Sequence, residues 1–363
     1  MDIKDKTGLL TALTSMFVQP IIDADYSEET LQGGTIGDVR LVEGTAKTAD
    51  GKRLPFKIVW KTQKYFERPG DPGSWRREYD LYMSDLDSFF TDSFRWPVCY
   101  HAEINDEALQ LWLEYIDGAS GGDLTIEMME LAALELGRFQ ARIAKHPELS
   151  IPCLGDPGFL ERNFDQWHNQ SFSYEFLISE SCRIPEFMKQ QLRDRQIRLI
   201  DGKSFEYSCL RSSACQIPAH LIKMLTDFDD GREEMFRRFK ALPIVLCHRD
   251  YWNENIFFTE GKLRLIDWDT TGWGYLGEDF AQLISDGTDM ERLDEYYHRL
   301  FPAYIRGISE EMTLPPIDNY YIWEMILLWR GYRLVQDYMF TESPDDREEA
   351  VFALQKIYDL KGK

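Results

Sequence analysis

Two carboxylates and an amide, set along two apolar runs and the polar loop between them, are the part of this sequence best suited to chemistry. The stretch Cys247-His248-Arg249-Asp250-Tyr251-Trp252-Asn253-Glu254-Asn255 leaves an apolar run for a polar loop. It is followed by a second apolar run that ends in a carboxylate, Leu263-Arg264-Leu265-Ile266-Asp267-Trp268-Asp269. Attack of a hydroxyl on a terminal phosphate needs a carboxylate to orient the hydroxyl and accept its proton, and a divalent cation to neutralise the charge spread over the phosphate oxygens. Asp250 suits the first task. Mg2+ takes oxygen ligands, one or two from protein and the rest from phosphates and water. Asn255 and Asp267 are of the right type to supply them.

His248-Arg249-Asp250, with Asn255 after four intervening residues, resembles the catalytic loop of the protein-kinase-like fold. Within that fold the chain is similar to the aminoglycoside phosphotransferase and choline kinase group of small-molecule kinases. Ile266-Asp267-Trp268-Asp269 stands where protein kinases carry Asp-Phe-Gly, and a carboxylate two residues after the metal aspartate is a habit of the small-molecule branch. Arg249 departs from that branch, which more often has Gly or Asn there. The resemblance implies an α+β, two-lobed fold: an antiparallel-sheet N-terminal lobe over residues 1–116 and a larger, mainly helical C-terminal lobe over 117–363. It also implies ATP and Mg2+ as cofactors.

The elements that would position these groups can be followed along the chain. Thr7 to Phe17 has apolar residues at helical spacing and is stopped by Pro20. Leu31-Gln32-Gly33-Gly34-Thr35-Ile36-Gly37-Asp38-Val39 is a glycine-rich turn between two strand-like runs. Gly34 and Gly37 could let the backbone approach phosphates, and a simple hairpin turn explains the same pattern. Leu54 to Thr62 alternates as a strand, with Lys57, Val59 and Lys61 on one face. Spacing leaves Lys57 and Lys61 open as the phosphate lysine; the resemblance favours Lys61. Trp75 to Met83 reads as a helix carrying Glu78, and in the resembled fold such a Glu holds the strand lysine on the nucleotide.

Leu109 to Ile116 resembles the strand that enters the interlobe hinge, where the backbone of about Glu114 to Ile116 would hydrogen-bond adenine. Asp117 to Asp123 then reads as a linker. Ile126 to about Ala144 carries an apolar stripe at helical spacing, and Pro157 to Leu242 is mostly helical by pattern. In the resembled kinases an aspartate at the place of Asp279 anchors the following helix against the catalytic loop, and the resemblance implies that supporting role here. The helical stretch from Asn319 to Tyr338 holds Tyr320, Tyr321, Trp323, Trp329, Tyr332 and Tyr338; such a stripe packs a core, and with Glu324 it could also enclose a cation.

With 363 residues, 44% hydrophobic and 14% aromatic, the chain has material for two well-filled lobes. A formal charge of −22 argues against nucleic acid as a partner and suits a cationic small molecule, although acidity also serves solubility. No apolar run reaches the roughly 18 to 20 residues of a membrane helix, so a soluble, cytoplasmic protein is expected. The six cysteines show no Cys-x-x-Cys spacing and are expected to stay reduced.

The expected activity is transfer of the γ-phosphate of Mg-ATP to a hydroxyl of a small molecule. A rival reading is a nucleotide-binding sensor or scaffold without catalysis, against which the joint presence of Asp250, Asn255 and Asp267 argues. A protein kinase is disfavoured because neither Asp-Phe-Gly nor Ala-Pro-Glu occurs.

Overall fold

The computed structural model describes residues 6–31, 37–66, 71, 73–146, 149, 151, 154–167, 190, 193–195, 197–198, 200, 202–313 and 320–361. The chain forms two compact units. One comprises residues 1–128, 146–155 and 254–271; the other comprises 129–145, 156–253 and 272–363.

The first unit is built on a five-stranded antiparallel sheet. Its strands are β1 (Ile21–Thr30), β2 (Asp38–Thr48), β3 (Arg53–Lys64), β5 (Cys99–Ile104) and β6 (Ala108–Glu114), in the order β1-β2-β3-β6-β5. Alternation along β3 decides what each face carries. Phe56, Ile58 and Trp60 enter a core with Leu9, Ala12 and Leu13 of α1 (Thr7–Phe17), and Trp60 stacks on Trp112 at 5.3 Å. Val59 lies on the opposite face, packed against a second cluster of Trp75, Leu109, Leu111 and Leu113. Lys61 sits opposite Val39 of β2 and Leu111 of β6. The single turn Ser74–Arg76 leads into α2 (Arg77–Tyr82), a shorter α-helix than the sequence pattern predicts because its first turn is 3-10.

A second sheet in the same unit runs β4 (Phe94–Arg95), β10 (Lys262–Leu265), β9 (Ile256–Thr259) and β7 (Ala119–Ser120). β9 and β10 form a hairpin in which Leu265 faces Ile256, and Glu260-Gly261 turn with positive φ.

The second unit is mainly helical. It contains α3 from Met129 on (Ile126–Ala144), α4 (Phe159–Trp167), α5 (Phe205–Leu210), α6 (Ala219–Asp230), α7 (Arg232–Phe239) and a two-stranded sheet of β8 (Ile244–Cys247) with β11 (Gly272–Tyr275). Then come α8 (Glu278–Ser285), α9 (Leu293–Glu311), α10 (Tyr320–Ile326), a π-helical turn at Leu327–Gly331, α11 (Tyr332–Phe340) and α12 (Pro344–Leu360). No described helix is long and apolar enough to cross a membrane. The α+β architecture expected from the sequence, a sheet-bearing part and a helical part, is the one observed.

Candidate active site

Lys61 is the centre of a buried ionic cluster in the first unit. Its Nζ lies 2.6 Å from Glu78 Oε2 and 2.6 Å from Asp267 Oδ1. The Glu78 side chain is 2% exposed and that of Asp267 36%, so the two carboxylates are not equivalent: one is internal and the other is open to a ligand. Burial opposes the charge on Lys61, but Asp267, Glu78 and Asp269 outweigh it, and the ammonium pKa lies above the ordinary lysine value. Burial pushes the Glu78 carboxyl upward against the pull of Lys61. Lys57, the other lysine on this face of β3, is solvent-exposed and pairs with Glu43 at 3.4 Å.

Asp267 follows β10 in the left-handed region, φ 63° and ψ 61°. Aspartate tolerates that conformation better than most residues. Around it the chain is held by burial: Trp268 is fully buried, donates from Nε1 to the Leu265 carbonyl at 2.7 Å, and packs edge-on against Phe90 and Trp96. The Ile266 amide donates to the Asn255 carbonyl at 3.0 Å, where the β9–β10 hairpin opens. Asn255 and Asp267 therefore sit at the same end of one hairpin.

In the second unit, Asp250 is half-buried in a loop whose backbone is fixed on both sides. The amides of His248 and Arg249 donate to Oδ2 and Oδ1 of Asp279, each at 2.8 Å, and the Tyr251 amide donates to Gln282 Oε1 at 2.9 Å. Asp279 and Gln282 belong to α8, so this helix is the template of the loop. Asp279 also accepts from Gln140 Nε2 at 3.1 Å, and Tyr304 donates its hydroxyl to Gln140 Oε1 at 2.6 Å. Burial pushes the Asp279 carboxyl up to about 6, against the two amides. Arg249 adopts φ 65°, lays its guanidinium 4.1 Å from the centre of the Phe159 ring, and donates to the carbonyls of Asp156 and Trp273.

The remaining predicted positions divide. Glu114 ends β6; its carboxylate is held by Arg95 at 2.7 and 3.0 Å and by the Val98 amide at 3.0 Å, and Ile116 lies just beyond the strand. Gly37 precedes β2, where a Cβ would stand 2.8 Å from the Thr62 carbonyl, so close strand approach already requires glycine there. Gly34 lies outside the described residues. Among the aromatic residues toward the C-terminus, Tyr321, Trp323, Tyr332 and Tyr338 are buried in the core. Trp329, in the π-helical turn, instead lines a cavity of about 220 Å³ with Leu160, Phe164, Leu328, Arg333 and Gln336. Arg333 is tied to Asp286 at 2.8 Å, and the next residue, Gly287, accepts from Asn253 Nδ2 at 2.7 Å.

A family model described as the phosphotransferase enzyme family matches residues 97–313. The chain belongs to the phosphotransferase enzyme family. Among solved structures, this phosphotransferase is similar to a microcompartment-associated aminopropanol kinase, with 17% identity over 97% of this chain and 95% of the other at a TM-score of 0.51. It is also similar to a choline kinase from Cryptosporidium parvum, with 14% identity over 92% and 90% of the two chains and a TM-score of 0.51. At such identities the likeness is one of fold. No curated protein matches the chain.

The donor set of the phosphotransferase suits a divalent cation held largely by phosphate and water. One ammonium, Lys61, faces the carboxylates of Glu78, Asp267 and Asp269, leaving an excess of negative charge beside the half-buried Asp267. The described residues contain no cluster of three or more His, Cys, Asp or Glu able to cage a metal on their own. The sequence pattern does not single out Gln140 and Gln282, which hold the Asp250 loop, nor Arg77 and Asp71, a buried ion pair in the first unit. No motif spacing marks them, and Arg77 sits in a run of charged residues that reads as surface.

Proposed function

We propose that this chain transfers the terminal phosphate of ATP to a hydroxyl of a small molecule, with Mg2+ as the metal. The observation that carries the reading is the Lys61–Glu78–Asp267 cluster, which joins a strand lysine, a helix glutamate and the carboxylate at the end of the β9–β10 hairpin. Bound magnesium would neutralise charge on the transferring phosphate. Asp267 and Asn255 would hold it, and Lys61, steadied by Glu78, would bind nucleotide phosphates. Gly34 and Gly37 would lie along the phosphates, and the backbone from Glu114 to Ile116 would receive the adenine. Asp250 would orient the acceptor hydroxyl and take its proton, its loop held still by Asp279.

In this reading residues 1–116 carry the nucleotide-binding sheet, residues 117–363 carry the catalytic loop, the metal ligands and the substrate-binding helices, and the protein works in the cytoplasm. The cavity beside Trp329 is where we place the acceptor. It shares a unit with Asp250 and connects to the catalytic loop through Arg333, Asp286 and Asn253. A π-helical turn is a frequent companion of binding sites. The named neighbours act on aminopropanol and choline, so amino alcohols head the acceptors to try.

A coupled assay for ADP release over amino alcohols, amino sugars and neutral sugars tests the proposal. Turnover on one class, abolished by Asp250→Ala while ATP still binds, is expected. Absence of calorimetric affinity for ATP in the presence of magnesium would overturn it.

A further inference from the structure

Arg77 is wholly buried, one residue before Glu78 in α2, and it belongs to none of the roles assigned above. Its two terminal nitrogens meet the carboxylate of Asp71, itself 3% exposed, in a fork: Nη2 to Oδ1 at 2.6 Å and Nη1 to Oδ2 at 2.7 Å. Nη1 also donates to the backbone carbonyl of Asp269 at 3.1 Å. A bidentate pair fixes the plane of a guanidinium, and with it the direction of every remaining N–H. Here one of those directions ends on the residue two positions after Asp267.

Stability is a poor reason for such a pair. Replacing a buried ion pair by apolar residues of similar volume is often neutral or stabilising. What an apolar side chain cannot do is grip a carbonyl. The segment that presents Asp267 is held at Ile266 by the Asn255 carbonyl and at Asp269 by Arg77. Between these two points Asp267 stands in a left-handed conformation, with Trp268 buried behind it. The same short helix thus reaches Lys61 through Glu78 and the Asp269 backbone through Arg77.

We infer that Arg77 is a positioning residue for the Asp267 carboxylate, with Asp71 setting the plane of its guanidinium. The inference rests on the reading of Asp267 as a magnesium ligand. It predicts that the contribution of magnesium to nucleotide affinity depends on the Arg77 fork, whereas affinity for the nucleotide alone does not.

The test is calorimetric titration of the full-length protein with ADP, with and without Mg2+, alongside thermal melting. Wild type is compared with Arg77→Lys, Asp71→Asn, the space-filling double variant Arg77→Met with Asp71→Leu, and Asp267→Asn. Arg77→Lys should bind metal-free ADP as wild type does and lose about tenfold of the affinity gained from magnesium, as expected when a partner that orients a metal ligand is removed. The double variant should show the same loss while melting near wild type, which separates positioning from folding. Unchanged magnesium enhancement in these variants, or an equal fall in affinity with and without metal, would overturn the inference. If wild type gains nothing from magnesium, or Asp267→Asn keeps the gain, the reading of Asp267 fails and takes this inference with it. If only the Arg77 and Asp71 variants behave as wild type, the inference alone fails.

Discussion

Lys61 and Asp267 are 206 residues apart in the chain and 2.6 Å apart in space. A lysine in the middle of a sheet face is costly to bury unless its charge is met, and here two carboxylates meet it. The pairing ties a central strand of the five-stranded sheet to the β9–β10 hairpin, so the positions of these charges are set by the folding of the first unit itself.

Substitution of the lysine separates stability from chemistry. Lys61→Met leaves Glu78 buried without its cation, which should cost about 3 kcal/mol in urea unfolding. The double variant Lys61→Met with Glu78→Leu should regain most of that loss while staying inactive, a positive coupling in a double-mutant cycle. Equal, additive losses would show that the buried pair is not the relevant unit.

Asp267→Asn should leave the fold intact, because asparagine accepts the left-handed backbone of φ 63° as readily as aspartate. Melting temperature should fall modestly, because Lys61 loses one of its two carboxylate partners while Glu78 still meets its charge. Magnesium-dependent nucleotide binding and turnover should fall together, read from titrations of rate against metal concentration.

Asp250→Ala should lower turnover by about two to four powers of ten, the usual worth of a positioned acid or base. ATP affinity should be unchanged, as measured by calorimetry. The fold should persist as one cooperative melting transition, since Asp279 and Gln282 grip the loop through the amides of His248, Arg249 and Tyr251.

The acidity of α8 predicts a pH dependence of stability. Glu278 is fully buried, accepts from the Tyr275 amide at 2.6 Å, and burial raises its carboxyl from 4.5 to about 7. The folded protein therefore binds a proton that the unfolded chain releases between about pH 4.5 and 7, and stability falls as pH rises through that window. Glu278→Gln keeps the acceptor oxygen and removes the titration. It should be more stable than wild type at pH 8, by about 1 to 3 kcal/mol, and nearly equal to it at pH 4.5. Urea midpoints at the two pH values decide the matter; a pH-independent difference would refute this account.

The helices and strands were legible where periodicity is strong. Apolar spacing marks α1 and the helix Ile126–Ala144, and alternation marks β3. Chemistry at fixed spacing marks Asp250, Asn255 and Asp267. What spacing cannot express is the environment of a face. Lys57 and Lys61 share one side of β3, and only packing separates the exposed Lys57, paired with Glu43, from the buried Lys61. Arg77 lies in Trp75-Arg76-Arg77-Glu78, a pattern that reads as solvated, and its burial depends on Asp71 from a preceding loop. The π-helical turn at Leu327–Gly331 is likewise silent in a sequence that simply continues the helical pattern.

Trp268 limits what the neighbouring carboxylate can do over time. Its indole is sealed under Phe90 and Trp96 and bonded to the Leu265 carbonyl. Turning so large a ring out into water would forfeit about 4 to 6 kcal/mol, which leaves a swung-out form about one molecule in a thousand or fewer. A carboxylate carried next to so firmly seated a ring keeps one posture, so Asp267 is presented in place before any ligand arrives.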